Sequence, residues 1–294
     1  MTNAATPKPT PPTRPIPFAL RLLRLAIRLL APIAPSLAGR WVYRLWFRTR
    51  RYPEPARERA WRETAQMLAV EHRGRPLAVH AWGAGPAVLL LHGWNGRGTQ
   101  LGAFMPALIA AGFRVVAIDA PGHGRSPGHE TNIPEMNAAI QAVTRVCGPL
   151  CAAIGHSFGV VCALYAVRQG LQVERIVAIA PPADMRELAR RFCAALNLPS
   201  AAQADFYGRL EARFGADLWD RFSPVALAHQ VDLPGLVIHD QDDRDVPWQD
   251  GEAVARAWPE AQFVRTAGLG HRRILRDPDV IARATAFIAA GNKI

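Results

Sequence analysis

The chain has few cysteines, no long apolar run free of charge at its N-terminus, and little acid in its first quarter. Four cysteines in 294 residues, Cys147, Cys151, Cys162 and Cys193, are too few and too clustered for a disulfide framework. They also lack the paired CxxC or Cys/His spacing of a zinc site. They read as buried apolar thiols in a reducing compartment. A membrane span needs about 20 consecutive, mainly apolar residues, and the most apolar N-terminal stretch, FALRLLRLAIRLL from Phe18 to Leu30, is interrupted by Arg21, Arg24 and Arg28. A spanning anchor is therefore not expected. A secretory signal fits no better, because its centre should be free of charge and followed by a small-residue cleavage site. Residues 1–75 hold only 4 of the 24 acidic residues but 15 of the 35 Lys+Arg, and residues 76–294 hold 20 of each. The net charge of +11 therefore belongs to the N-terminal quarter and gives no reason to expect an acidic substrate.

What is present is an ordinary globular composition, half apolar and a fifth charged, which rules out a disordered or collagen-like chain. The length suits one large α/β domain with an appendage. Six prolines between Thr6 and Pro17 block helix and sheet, so residues 1–17 are expected to be a disordered tail. Residues 18–64 read as a basic amphipathic helical extension. In Phe18–Leu30 the arginines share one narrow face and leucines cover the rest, Pro32 and Pro35 break the helix, and a second segment, Ala38 to Arg51, stripes Arg40, Arg44 and Arg48 against Trp41, Val42, Leu45, Trp46 and Phe47. Such helices lie in the plane of an anionic membrane surface or pack on the domain or a partner, two readings of equal weight. Nucleic acid ranks third, because the arginines alternate with large aliphatics rather than with stacking groups. Arg50 to Pro55 connects to a polar helix, Ala56 to Thr64.

From residue 65 to 294 the pattern is that of strands alternating with helices. Gln66–Glu71 and Leu77–Ala81 form an expected hairpin about Arg73-Gly74-Arg75. The apolar runs Ala87–Leu91, Phe113–Ile118, Cys151–Ile154, Ile176–Ile179, Leu236–Ile238 and Gln262–Arg265 suit strands buried on both faces, hence parallel. Helical stretches fall between them at Leu101–Ala111, Ile133–Cys147, Phe158–Gln169, Gly251–Ala257 and Asp279–Ala290. This alternation predicts a doubly wound α/β sheet, in which ligands bind beyond the carboxyl ends of the strands. Five strand ends carry polar or glycine-rich turns: His92-Gly93-Trp94, Asp119 to Ser126, Gly155-His156-Ser157-Phe158-Gly159, the cluster Asp240, Asp242, Asp243 and Asp245 before Val246-Pro247, and Gly268-Leu269-Gly270-His271. A serine between glycines on a sharp strand-to-helix turn is lifted above the sheet, near a helix N-terminus that favours negative charge.

These turns, in the order Ser…Asp…His, make the chain resemble the α/β-hydrolase superfamily over about Gln66 to Ala290. One departure is the elbow's continuation as Gly159-Val160, where many relatives have a second glycine. The resemblance implies Ser157 as nucleophile, His271 as general base and acid, and Asp243 as the residue that orients the histidine, with Asp242 and Asp184 as alternative acids. It further implies oxyanion donors at the backbone N–H groups of Trp94 and Phe158. The chemistry is coherent, since a serine hydroxyl needs an imidazole to take its proton and a buried carboxylate to fix the imidazole tautomer. His92 is expected to shape the oxyanion loop, Asp119 to tie its own turn, and His123, His156 and His239 to be hydrogen-bonded structural groups. The stretch 182–234, with its scattered aromatics, is expected to be a helical lid insertion. The expected function is a serine hydrolase that cleaves a carboxylic ester or thioester through an acyl-enzyme, with no cofactor and no metal. Acyl transfer, other chemistry on the same residues, or a non-catalytic membrane-associated domain are the rivals. The serine argues against the dehalogenase and epoxide-hydrolase chemistries that similar folds run on an elbow aspartate. The expected location is the cytoplasm, with residues 18–51 held peripherally on the inner face of the membrane.

Overall fold

The computed structural model describes residues 17–291, so the proline-rich segment expected to be disordered lies, apart from Pro17, outside the described residues. The elements in chain order are α1 (Phe18–Leu30), α2 (Pro35–Phe47), α3 (Ala56–Glu63), β1 (Gln66–His72), β2 (Arg75–Trp82), β3 (Ala87–Leu91), α4 (Met105–Ala110), β4 (Arg114–Ile118), α5 (Ile133–Cys147), β5 (Leu150–His156), α6 (Phe158–Arg168), β6 (Arg175–Ile179), α7 (Met185–Ala195), α8 (Ser200–Phe214), α9 (Leu218–Arg221), α10 (Pro224–Ala228), β7 (Gly235–Asp240), α11 (Trp248–Ala257), β8 (Ala261–Thr266), α12 (Gly270–Arg273) and α13 (Pro278–Ala289). The eight strands form one sheet in the order β1-β2-β4-β3-β5-β6-β7-β8. β1 and β2 are antiparallel to their neighbours, and all pairs from β4 through β8 are parallel.

The period-two geometry of a strand divides its side chains between two faces. Leu89 and Leu91 of β3 join the core beneath α5, α6 and α11, while Val88 and Leu90 join the core beneath α4 and α13. The first hairpin turns on Arg73 (φ 51°) and Gly74 (φ 68°), the pair of positive φ values that matches the twist of a tight two-residue hairpin. β8 departs from the expected two-sided burial: it lies at the sheet edge and is half-buried. The helix expected at 101–111 opens instead as a 3-10 segment, 98–104, before α4. The thiols of Cys162 and Cys193 are buried, whereas Cys147 and Cys151 are only partly so.

Between β6 and β7, the 182–234 insertion is four helices, α7 to α10. The N-terminal extension packs onto it. Ile27, Ala38 and Val42 are fully buried, which stabilises by about 1.5–3 kcal/mol for each large side chain. α2 and α8 approach closely at Gly39, where a Cβ would stand 2.8 Å from the Ala202 carbonyl oxygen and would also strike the Asp205 carboxylate. Trp46 packs edge-on against Phe192 and Phe206, with ring centroids at 5.1 and 5.9 Å. Arg24 Nε donates to the Ala195 carbonyl at 2.8 Å. α2 starts at Pro35, a residue suited to the first helical turn, and ends at Phe47 rather than at Arg51. Arg48 takes an extended conformation to bridge Glu130, and Thr49 N–H donates to the His129 carbonyl at 2.9 Å. Arg40, Arg44 and Arg48 all point to solvent. No helix among the described residues is long and apolar enough to cross a membrane.

Because the α2/α8 contact leaves no room for a side chain, Gly39→Leu should destabilise the fold by about 1–3 kcal/mol through overpacking. Urea denaturation checks this, and an unchanged midpoint would show that the extension is not held there.

Candidate active site

Strand β5 runs into the Gly155-His156-Ser157-Phe158-Gly159 turn, and α6 begins at once with Phe158. Ser157 has φ 52° and ψ −115°, a strained conformation for a residue with a side chain, of order 1–3 kcal/mol. The surroundings hold it there. Ser157 N–H donates to the Ile179 carbonyl at 2.9 Å. A Cβ on Gly155 would lie 2.8 Å from Val160 Cα, and one on Gly159 would strike the Leu91 carbonyl. Both glycines are therefore required by the close approach of helix and strand.

The carboxylate of Asp243, completely buried, accepts from His271 Nδ1 at 2.7 Å. Its other oxygen accepts the backbone N–H groups of Asp245 (2.8 Å) and Val246 (2.9 Å). His239 Nε2 donates to the Val246 carbonyl at 3.1 Å and lies 3.3 Å from the oxygen that also meets His271. Burial pushes the Asp243 carboxyl up, but the hydrogen bonds from His239 and His271 and the Val246 N–H outweigh it and hold it well below the usual carboxylate range. Asp242 instead accepts from Gly268 N–H at 2.8 Å, and Asp184 caps α7 through Glu187 N–H at 2.7 Å. Neither of the alternative acids is bonded to His271.

His271 stands on the short helix α12, and its placement depends on Asp240, a residue to which the sequence lent no role of its own. The Asp240 carboxylate accepts from Gly270 N–H (2.8 Å), Leu269 N–H (3.1 Å), Asp242 N–H (3.0 Å) and the Thr266 hydroxyl (2.8 Å). Burial raises its pKa, and these four donors lower it further than burial lifts it. The signal in the sequence was its position as the last residue of a strand, opposite a Gly-Leu-Gly loop. His156 links the histidine to the elbow: its Nε2 donates to the His271 carbonyl at 2.9 Å, and the two rings lie 4.6 Å apart. Burial and the neighbouring His271 push the His156 pKa down to about 3, so it stays neutral. No hydrogen bond among the described residues joins Ser157 Oγ to the His271 ring.

The loop after β3, tied to the loop after β4, faces the elbow from the other side. His92 Nε2 accepts from Ala120 N–H at 3.0 Å, so its proton is on Nδ1, which donates to the Gly93 carbonyl at 2.7 Å. This bends the loop so that Gly93 faces the elbow, where a Cβ would stand 3.3 Å from Ser157 Cβ. The Trp94 and Phe158 rings meet edge to face at 5.0 Å. Neither residue's backbone N–H has a hydrogen-bond partner among the described residues. Asn95, in left-handed backbone (φ 59°), accepts Arg50 N–H at 2.7 Å. Asp119 accepts from Gly98 and Arg125 N–H groups at 2.7 and 2.8 Å and thereby ties its own turn. Ser157, Trp94 and Phe158 open into one mainly apolar cavity of about 1040 Å³. Among the described residues, no three His, Cys, Asp or Glu side chains are gathered as a metal site requires.

The comparisons with known proteins agree with this architecture. Residues 88–284 match the model of the alpha/beta hydrolase family, and the chain belongs to that family. It is a hydrolase. It is 33% identical to a pimeloyl-[acyl-carrier protein] methyl ester esterase of Xanthomonas campestris pv. campestris, over 71% of this chain and 97% of the relative. Among solved structures, a putative lipase from Acinetobacter baumannii AYE superposes with a TM-score of 0.62 at 18% identity, covering 80% of this chain and 94% of that one. An esterase from Rhodococcus sp. ECU1013 gives 0.57 at 21%, covering 78% and 100%.

Asp240 and Asp243 both titrate below the usual carboxylate range in the folded chain. Their stabilisation is therefore complete above the unfolded value near 4 and is lost as pH falls through the lower folded values. Urea unfolding from pH 7 to pH 3 should show stability declining below about pH 4. Asp240→Asn should flatten that decline and cost about 1–3 kcal/mol at pH 7, because four partly buried donors lose a charged acceptor. An acid limb identical to wild type would contradict the role given to Asp240.

Proposed function

We propose that the chain hydrolyses a carboxylic ester or thioester through an acyl-enzyme on Ser157. The observation that carries this reading is the 2.7 Å contact between buried Asp243 and His271 Nδ1, set at the strand ends beside a serine in strained backbone that opens into an apolar cavity. Asp243 keeps the His271 proton on Nδ1, leaving Nε2 free to accept. Ser157 Oγ attacks the acyl carbon while its proton passes to Nε2. The oxygen that becomes negative receives the free N–H groups of Trp94 and Phe158, supported by the N-terminal dipole of α6. Collapse expels the alcohol or thiol, which takes the proton from His271. Water then repeats the sequence: its proton goes to His271, its hydroxyl to the acyl carbon, and Ser157 recovers its proton as the acid departs. Helices α7 to α10 act as a lid that keeps bulk water from the acyl-enzyme. The esterase relative supports this choice of bond.

Ser157→Ala should lower kcat/KM for p-nitrophenyl butyrate by about 10⁴-fold or more with an unchanged thermal midpoint, and Asp243→Asn should lower it by about 10⁴-fold. Retained turnover in Ser157→Ala would remove the assignment, and a product other than free acid would point to acyl transfer.

A second proposal concerns location: α1 attaches the enzyme peripherally to the anionic inner face of the membrane. An ordinary surface helix turns its polar side to solvent. Instead α1 exposes an apolar stripe, Phe18, Leu22, Leu25 and Leu29, continued by Ile33 and Leu37, with Phe18 74% and Leu29 63% accessible. Arg21 and Arg28 stand exposed beside it. An apolar face bordered by arginines suits the boundary of an anionic bilayer, where each basic residue adds about 1 kcal/mol. Co-sedimentation with phosphatidylglycerol vesicles at low salt should fall at least fivefold in Leu22→Asp/Leu25→Asp, and wild type should bind phosphatidylcholine vesicles weakly. Equal sedimentation of the two proteins would refute the attachment.

A further inference from the structure

We infer that the N-terminal extension is itself part of the substrate site: α1 and α2 form a wall of the pocket that receives a medium-to-long apolar acyl chain. This rests on the hydrolase reading and adds to it the class of acyl group and the residues that select it. The cavity that holds Ser157 is bounded on one side by Leu20, Leu23, Leu45 and Trp46 of the extension, and the insertion contributes Leu188 and Phe192. At about 1040 Å³ it lies at the upper end of the range that encloses drug-sized ligands, far more than a two-carbon acyl group fills. Apolar side chains approach from both helical layers, so the part of the substrate lodged between them is apolar.

The wall is held in place as a binding surface has to be. Trp46 is fixed edge-on against Phe192 and Phe206, and the Gly39 contact sets the depth at which α2 sits on α8. Arg24 ties α1 to the end of α7 through the Ala195 carbonyl. Beyond α2 the chain runs directly to the reacting centre. Thr49 Oγ1 donates to the Gly122 carbonyl at 2.7 Å, and Arg50 N–H donates to Asn95, the neighbour of Trp94. Arg51 donates to the Gly124, Ser126 and Gly128 carbonyls. One helix thus serves two surfaces: Leu20 and Leu23 face the cavity, while Leu22 and Leu25, about 100° or more around the helix, face solvent. The region that matches the family model begins at residue 88, so this wall lies outside it.

Burial of each methylene in such a pocket is worth up to about fourfold in affinity. The kcat/KM for p-nitrophenyl dodecanoate should exceed that for the butyrate by at least tenfold. Leu23→Trp and, independently, Leu20→Trp should lower that dodecanoate-to-butyrate ratio at least tenfold by filling the pocket, whereas Arg44→Trp on the exposed side of α2 should leave the ratio as it is. Calorimetric binding of dodecanoate to Ser157→Ala, with and without Leu23→Trp, reads the same wall without chemistry and should weaken at least tenfold. If wild type cleaves butyrate in a Ser157-dependent way but neither the ratio nor dodecanoate binding responds to the pocket-facing variants, this inference fails and the hydrolase reading stands. If no ester is cleaved while dodecanoate binding is lost in Leu23→Trp, the wall stands and the hydrolase reading fails. A length dependence confined to the alcohol side of alkyl butyrates would overturn the acyl assignment.

Discussion

Helix α6 lies so close to the end of β3 that residue 159 has no space for a side chain beside the Leu91 carbonyl, and residue 155 has none beside Val160. That approach forces the chain through a turn only one residue wide and leaves Ser157 with a positive φ. A strained serine stays in place because two well-paired elements on either side would have to separate before it could relax. The same approach brings Gly93 against the elbow and sets the Trp94 and Phe158 rings edge to face. The position of Ser157 and of the Trp94 and Phe158 N–H groups is thus a consequence of one packing contact between a helix and a parallel sheet.

The opposite side of the site is governed by buried acid. Two carboxylates three residues apart in sequence divide the work: Asp243 meets the imidazole of His271, and Asp240 meets the backbone of the loop that carries it. Each remains ionised although buried, because it has several donors. His239 and His156 complete the arrangement, one ring against the Asp243 carboxylate and the other, kept neutral by its burial, against the His271 carbonyl. Deleting any one of these contacts would loosen the ring without removing a reacting atom, which is why such residues escape notice when only candidate chemistry is sought.

The extension changes the meaning of the molecule's uneven charge. The arginines of α1 and α2 face solvent or, at Arg24, cap a neighbouring carbonyl, and the inward side chains pack with the four-helix insertion. An amphipathic pattern states that one side of a helix is to be covered, but not by what. In this chain the inner cover is the insertion and the cavity beside Ser157, while the outer apolar stripe of α1 remains open.

Much of this was legible from residue order. Alternation of apolar runs with helical stretches specified the doubly wound sheet, since period-two and 3.6-residue patterns are local properties of the backbone. The helices at 18–30 and 133–147 and the strand at 87–91 fell at the expected residues, because prolines, caps and glycines mark their ends. Strand-end turns likewise brought forward Ser157, His271 and an acid to be chosen among Asp243, Asp242 and Asp184 as candidates. What only tertiary structure decided were relations between distant segments: that Asp243, rather than Asp242 or Asp184, reaches the histidine, that Asp240 holds its loop, and that α2 stops at Phe47 because Arg48 finds a partner at Glu130. A one-residue change of position in a loop redirects a carboxylate completely, and composition does not specify which surface a helix will cover. Those outcomes depend on distances between residues far apart in sequence, and they exist only once the sheet has brought its carboxyl ends together.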